Sequence, residues 1–367
     1  MRSRMHIAWP QQQGQQPTPL AWGASPAAAP VVRAVRINRQ PRRVWLRIER
    51  LYRVMGAERR AVIDIGTNSV KLLVAETDGL EVNPLAEESR QTRLGQGLFQ
   101  SNVLQPEAIQ HTVEAVATFA HTAAQWQVPH PRVIATSAAR DALNGADLVK
   151  AIQQRLGLPV EIISGQREAE WAFRGVASAP ALRHQPLLLV EVGGGSTQVI
   201  LGQADHQQFQ QSLPLGSVRL LEQFRPTDPP APQELDHVRH WLTDFLEREL
   251  GPALGLRLRQ LAGGSVRLVG TGGTVTILAR MAKELSSFDR AAIEGTRLSL
   301  AWIQQTTTKL WSLSLAERRA LVGLPPNRAD VILFGICIYE AFMVHLNLPE
   351  LYVSTRGVRF GAILDWR

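Results

Sequence analysis

From residue 60 onward, short apolar runs alternate with longer stretches of helical period. That pattern belongs to a chain that builds sheets and covers them with helices, so the fold class predicted is α/β. Runs at 61–65 and 70–76 read as strands around a tight turn at Gly66-Thr67-Asn68. A helix is predicted over 105–124, a strand over 132–135, a helix over 145–156 and a strand over 160–163. Residues 187–192 and 199–201 read as strands flanking a second turn, Gly193-Gly194-Gly195. Pro229, Pro230 and Pro232 mark a loop that starts a long amphipathic helix ending near Leu250. A strand at 266–269 runs into Gly270-Thr271-Gly272-Gly273, and a last strand at 351–354 leads into a closing helix.

Two of these hairpins repeat each other. Val62-Ile63-Asp64-Ile65-Gly66-Thr67-Asn68-Ser69-Val70 lies over Leu189-Val190-Glu191-Val192-Gly193-Gly194-Gly195-Ser196-Thr197 without a gap, 127 residues apart. Each copy is an apolar strand with a carboxylate near its end, a glycine turn, a hydroxyl and a second apolar strand. A spacing of about one domain implies two related halves facing each other.

The first part of the chain has no such period. It holds a Gln-rich run (11–16), an Ala/Pro run (24–30) and then arginines, a composition that cannot bury enough apolar surface to offset its ordering entropy. Disorder is expected there. The segment is similar in composition to a transit peptide, and Met55, just before the first strand, offers a simpler start of translation. It also carries the charge. Twelve arginines against Glu49 and Glu58 precede residue 61, more than the whole chain's +8, so the remainder is slightly acidic. A near-neutral body gives no case for DNA binding, and any polyanion must be held by local arginines and backbone donors. A single cysteine, Cys337, excludes an internal disulfide and makes the cytoplasm the default compartment. The apolar run at 331–346 contains Glu340 and is too short to span a bilayer, which leaves a buried helix.

A glycine turn presents several backbone N–H groups on one concave side, and phosphate oxygens fit such a nest. Gly66, Thr67, Asn68 and Ser69 in one turn, and Gly193, Gly194, Gly195, Ser196 and Thr197 in the other, are the phosphate-binding candidates. Asp64 and Glu191 suit Mg²⁺, directly or through water. A single turn of this kind is most often an ordinary hairpin; the matched pair argues for ligand binding. Gly270, Gly272, Gly273 and Thr274 form a third cluster between a strand and a helix, a place where a nucleotide phosphate could meet a helix N-terminus. Arg93 and Arg140 suit a polyanionic chain, since guanidinium forks match phosphate oxygens. The same two residues also suit surface ion pairs, and sequence leaves the roles open. His237 and His240 lie one turn apart but lack a third ligand, so a solvated helix face is expected.

These three loops, in this order, resemble the exopolyphosphatase and guanosine pentaphosphate phosphohydrolase family of the actin, sugar kinase and heat-shock chaperone superfamily. Further matches are Thr92-Arg93-Leu94-Gly95-Gln96-Gly97-Leu98, Ala135-Thr136-Ser137-Ala138-Ala139-Arg140-Asp141-Ala142, Glu161-Ile162-Ile163-Ser164-Gly165-Gln166-Arg167-Glu168-Ala169 and Arg328-Ala329-Asp330-Val331-Ile332. The resemblance implies two actin-like (ribonuclease H-like) domains with a cleft between them. They would span 58–172 and 173–352, with 353–367 packing back on the first and a disordered extension at 1–57. It implies hydrolysis of polyphosphate or a guanosine polyphosphate with Mg²⁺, and it makes Glu168 the general base. A homodimer is implied too. In the second loop Gln198 stands where the family has glutamate, a position near metal or water. Glu191 stands where relatives commonly have aspartate. Thr355 and Phe360 replace an acidic residue and a glutamate. A non-catalytic polyphosphate or alarmone sensor is the competing expectation.

Overall fold

The computed structural model describes residues 57–261 and 266–366. The disorder expected at 1–57 therefore lies outside the described residues, all but its last position.

The first half is a five-stranded sheet made of β1 (Glu58–Ile65), β2 (Ser69–Thr77), β3 (Val82–Gln91), β4 (Arg132–Ala135) and β5 (Val160–Ile162), in the order β3-β2-β1-β4-β5. β1 to β3 form an antiparallel meander, and β4 and β5 add in parallel. Its helices are α1 (Leu98–Ser101), α2 (Pro106–Gln125), α3 (Ser137–Asp141), α4 (Gly145–Leu156) and α5 (Gly165–Ala177).

The second sheet is six-stranded, with β6 (Leu187–Val192), β7 (Thr197–Gln203), β8 (His206–Leu213), β9 (Arg267–Thr271), β10 (Arg297–Ser299) and β11 (Glu350–Val353) in the order β10-β11-β9-β6-β7-β8. With β10 set aside, β8-β7-β6-β9-β11 repeats the first sheet strand for strand, including the antiparallel meander and the parallel additions. The two related halves expected from the hairpin repeat are thus present as one topology used twice. Its helices are α6 (Ser217–Phe224), α7 (Pro232–Leu261, broken at Gly251), α8 (Gly273–Ala282), α9 (Arg290–Ile293), α10 (Leu300–Ser312), α11 (Leu315–Arg319), α12 (Ile332–His345) and α13 (Val358–Leu364).

Strand alternation distributes the apolar residues among three cores. Ala61, Ile63 and Ile65 of β1 face α2 and α4, with Phe119, Leu148 and Ile152 opposite. Leu188, Val190 and Val192 of β6 face α7 and α12. The intervening positions, Val62 on one sheet and Leu187 and Leu189 on the other, face inward to a core built from α5 and α13. These two helices form a layer between the sheets, and the domain boundary expected at residue 172 falls inside α5. The helix expected at 331–346 appears as α12, buried from Ile332 to Glu340 and exposed at Val344, and it holds Cys337. No helix among the described residues is long and apolar enough to cross a membrane.

The α5–α13 contact is unusually close. A Cβ on Gly361 would lie 2.0 Å from the carbonyl oxygen of Trp171, and one on Gly175 would lie 2.2 Å from that of Gly357. Backbones in such contact fix the helix crossing more tightly than larger side chains would.

Candidate active site

The two hairpin turns are built alike. In the first, Gly66 N–H donates to the Ser69 carbonyl at 3.0 Å; in the second, Gly193 N–H donates to that of Ser196 at 2.9 Å. Cross-strand register then sets Asp64 opposite Lys71 and Glu191 opposite Gln198. The turns meet face to face: a Cβ on Gly194 would lie 2.9 Å from Thr67 Cβ, and one on Gly195 would lie 2.8 Å from Thr67 Oγ1.

What aims the N–H groups into the gap is where the carbonyls are held. In the second turn Ser217 N–H binds the Gly193 carbonyl at 3.0 Å, Val218 N–H the Gly194 carbonyl at 2.8 Å, and Arg219 Nε the Gly195 carbonyl at 2.9 Å. All three acceptors are thus engaged by the start of α6. In the first turn Gly95 N–H binds the Thr67 carbonyl at 2.7 Å, and Thr92 and Arg93 N–H share that of Asn68 at 3.2 Å. Peptides whose carbonyls point outward leave their amides on the concave side, as an anion nest requires.

Between the turns is a cavity of about 100 Å³ lined by Asp64, Lys71, Glu168, Glu191, Arg328 and the loop residues. It has room for about three waters, the scale of one phosphate group. Asp64, Lys71, Glu191, Gly273 and Arg328 also line an adjoining cavity of about 410 Å³, which continues to Arg280, Phe288 and Arg359.

The first-turn residues Gly66, Thr67, Asn68 and Ser69 line the small cavity, as do Gly193, Gly194, Gly195 and Ser196. Thr197 does not reach it, because its hydroxyl donates to the Leu215 carbonyl at 2.6 Å. Gly273 and Thr274 reach the small cavity and Gly272 the larger one, whereas Gly270 is buried in β9 against Val275, Leu351 and Tyr339. Arg93 pairs with Asp330 at 2.8 Å, and Arg140 pairs with Glu168 at 3.1 Å. The histidines face no ligand set: His237 packs edge-on against Phe224, and His240 Nδ1 lies 2.7 Å from the Asp236 carbonyl.

Three residues of the cleft went unassigned in the sequence. Lys71 was within reach, because extending the repeat by one residue places Val70-Lys71 over Thr197-Gln198. Arg328, which donates to Ser69 Oγ across the cleft, lies in a stretch that carries the family resemblance, and Arg359, which binds the Leu72 carbonyl at 2.6 Å, lies between Thr355 and Phe360, where the sequence departs from it. Their roles depend on tertiary approach, which no local pattern encodes.

Burial dominates the electrostatics. It pushes Glu168 up to about 7 against the opposing pull of Arg140. Glu191 rises to about 8, through burial first and then the neighbouring Glu168 carboxylate. Asp64 is raised by burial although Lys71 and Arg359 pull the other way, and Lys71 is lowered by burial and then by Arg359. Among the described residues, Asp64 Oδ1, Glu191 Oε2, Gln198 Oε1 and the Asn68 amide nitrogen have no hydrogen-bond partner. Each buried orphan costs about 1–3 kcal/mol, the mark of groups reserved for a ligand.

The raised carboxylates carry a stability consequence. The folded protein keeps protons that the unfolded chain has already lost, so their contribution is full below the ordinary carboxylate range and drains away as pH rises through 7 to 8. Without divalent cations, Glu191→Gln should therefore melt higher than the wild type at pH 8.5, by about 2–4 °C per kcal/mol recovered, with no gain at pH 5. Thermal unfolding at the two pH values checks this; a lower Tm at pH 8.5 would mean the ionised Glu191 stabilises the fold through Lys71.

Of the residues at which the sequence departs from the family pattern, Glu191 lines both cavities and Thr355 the larger one, while Gln198 and Phe360 line neither. Thr355 receives Arg290 and bonds Glu294 through its N–H at 2.7 Å and through its hydroxyl, so Glu294 brings a carboxylate to that place. Phe360 lies in the core between the guanidinium groups of Arg290 and Arg356, at 4.9 and 5.1 Å from its ring.

A sheet topology used twice, with its hairpin turns meeting over an acidic chamber of phosphate size, defines the actin-like class of phosphate-transferring and phosphate-releasing proteins. Within that class the chain belongs to the Ppx/GppA phosphatase family, whose sequence pattern matches residues 73–367. It is 34% identical over 327 residues to exopolyphosphatase 2 of Mycobacterium tuberculosis, covering 85% of this chain and 99% of the relative. Among solved structures, an exopolyphosphatase from Cytophaga hutchinsonii superposes with a TM-score of 0.74 at 27% identity, covering 84% of this chain and 98% of that one. The Aquifex aeolicus Ppx/GppA family member superposes with a TM-score of 0.68 at 28% identity, covering 84% and 97%.

Proposed function

We propose that this phosphatase removes the terminal phosphate of inorganic polyphosphate, with guanosine pentaphosphate as a second substrate, in the cytoplasm. The observation that carries the reading is the small chamber: its volume is on the scale of one phosphate group, a glycine turn lies on each side of it, and Glu168 stands in its wall. The name of the Mycobacterium relative, an exopolyphosphatase, points the same way.

In this reading the N–H groups of the two turns bind the terminal phosphoryl oxygens, and Lys71 and Arg328 offset their charge. The larger cavity takes the rest of the chain. Glu168 orients a water and receives its proton on a carboxylate oxygen, while Arg140 keeps that carboxylate in place. The water oxygen bonds to the terminal phosphorus, the anhydride P–O bond breaks, and orthophosphate and a chain one unit shorter leave. Phosphoryl transfer has a loose transition state, so alignment and charge neutralisation supply most of the acceleration.

The donor set fits Mg²⁺. Asp64 and Glu191 each keep an unpartnered oxygen at strand ends that line the chamber, whereas Gln198, opposite Glu191 across the strands, lines neither cavity. No group of three His, Cys, Asp or Glu side chains among the described residues encloses an ion. A cation here would thus complete its shell with waters and phosphate oxygens, as Mg²⁺ commonly does. When bound, it would supply charge neutralisation at the phosphoryl oxygens.

Phosphate release from polyphosphate with Mg²⁺ tests the proposal. With Glu168 at about 7, the rate should rise with pH through that value and level off above it, because the base works only when unprotonated. Arg140→Met removes the charge and the hydrogen bond that lower Glu168, so the rising limb should move to higher pH; an unmoved limb would assign it to another group. The amide at Gln198 supports a second reading, a polyphosphate-binding protein without turnover. That reading predicts tight binding, no phosphate release by the wild type, and release by Gln198→Glu.

A further inference from the structure

Two arginines outside the chamber stand in related places. Arg93 follows β3 and Arg219 follows β8, and they are 126 residues apart, one fewer than the 127 separating Asp64 from Glu191. Each belongs to the segment that holds the carbonyls of its own turn: Arg93 through its N–H on Asn68, Arg219 through its N–H on Gly194 at 3.1 Å and its Nε on Gly195. Each then reaches into the other half. Arg93 pairs with Asp330 at 2.8 Å, and Arg219 pairs with Asp141 at 2.7 Å.

The aspartates do not occupy equivalent places in the repeat, since Asp141 ends α3 just after β4 whereas Asp330 precedes α12, but each lies beside an arginine of the cleft. Asp141 follows Arg140, which binds Glu168, and Asp330 lies two residues after Arg328, which binds Ser69 of the first turn. Arg93 holds a left-handed backbone, φ 52°, costly for a residue other than glycine and retained where surroundings impose it. On the other side α6 is further fastened to the first half. The Glu222 carboxylate accepts from the N–H groups of Gly97 and Phe99 at 2.5 and 3.1 Å, and the Arg219 guanidinium lies 4.0 Å over the Phe99 ring.

We propose that Arg93 and Arg219 are positioning residues, forming two straps across the cleft that hold the facing turns at working distance. Through Arg140 and Arg328, the straps also tie closure of the cleft to the placement of the groups around the substrate. The proposal deepens the phosphatase reading and rests on it for the rate effect, though not for closure itself.

Partly exposed ion pairs contribute little to overall stability, so the expected signature lies in closure and turnover rather than in unfolding. In substrate-free protein, X-ray scattering should show a larger radius of gyration for Arg93→Ala/Arg219→Ala than for wild type. With polyphosphate and Mg²⁺, each single variant should lose about fivefold in kcat and the double variant about twenty-five-fold, with KM within about twofold. Arg93→Lys and Arg219→Lys, which keep the charge, should recover kcat to within about threefold. An unchanged radius in the double variant overturns the proposal, and so does an opened cleft with undiminished kcat. If wild-type protein releases no phosphate, the functional reading falls and scattering alone decides for or against the straps.

Discussion

Glu168→Gln is expected to lower kcat for phosphate release by about 10²–10⁴-fold while leaving KM within about threefold, the range for removing a general base. Glutamine keeps the shape of the side chain and can still accept from Arg140, but it cannot take a proton from water. The turns, to which the proposed mechanism assigns phosphate binding through backbone amides, are untouched, so affinity should survive. Comparing kcat and KM on polyphosphate at pH 8, where Glu168 is ionised in the wild type, separates chemistry from binding. A loss smaller than tenfold would remove Glu168 from proton transfer. A loss confined to KM would make it a substrate-binding group.

The largest effect expected on stability comes from one methyl group. Gly361→Ala sets a Cβ 2.0 Å from the Trp171 carbonyl oxygen and 2.6 Å from its Cα, contacts that only displacement of α13 from α5 can relieve. Overpacking commonly costs about 1–3 kcal/mol, and here both partners are backbone and cannot change rotamer, so about 3 kcal/mol or more is expected. Because α13 also carries Arg359, whose guanidinium holds the Leu72 carbonyl and Glu87, the shift should reach the large cavity. Denaturant unfolding measures the cost. A variant within 0.5 kcal/mol of wild type, taking about that as the scatter of neutral substitutions, would show that the contact relaxes freely.

Most of the strands that the sequence revealed have apolar residues pointing to a core on both faces, such as β1, β6 and the start of β2, whereas β5 was marked by its apolar run alone although none of its residues is buried. β3 and β8 escaped notice because they are polar edge strands: β8 reads His-Gln-Gln-Phe-Gln-Gln-Ser-Leu, and only Leu213 is buried. What makes them strands is the hydrogen-bonding edge offered by β2 and β7, a property of the neighbour. The same holds for the site. Asp64, Glu191 and the turns were legible because glycine and a carboxylate recur at matched spacing. Arg328 and Arg359 came into the cleft from remote segments, and Thr197 looked like a ligand until its hydroxyl was found bound to Leu215. The long helix predicted to end near Leu250 does break at the next residue, Gly251, where φ is 48°. There a local preference and the fold agree.

The helix that begins with the Ser164 cap bears Glu168 in its first turn and serves, along the rest of its length, as filler between the two sheets. In the proposed mechanism the proton acceptor would therefore be mounted on the spine shared by both sheets and not on either glycine turn, its backbone held by packing that owes nothing to a bound phosphate.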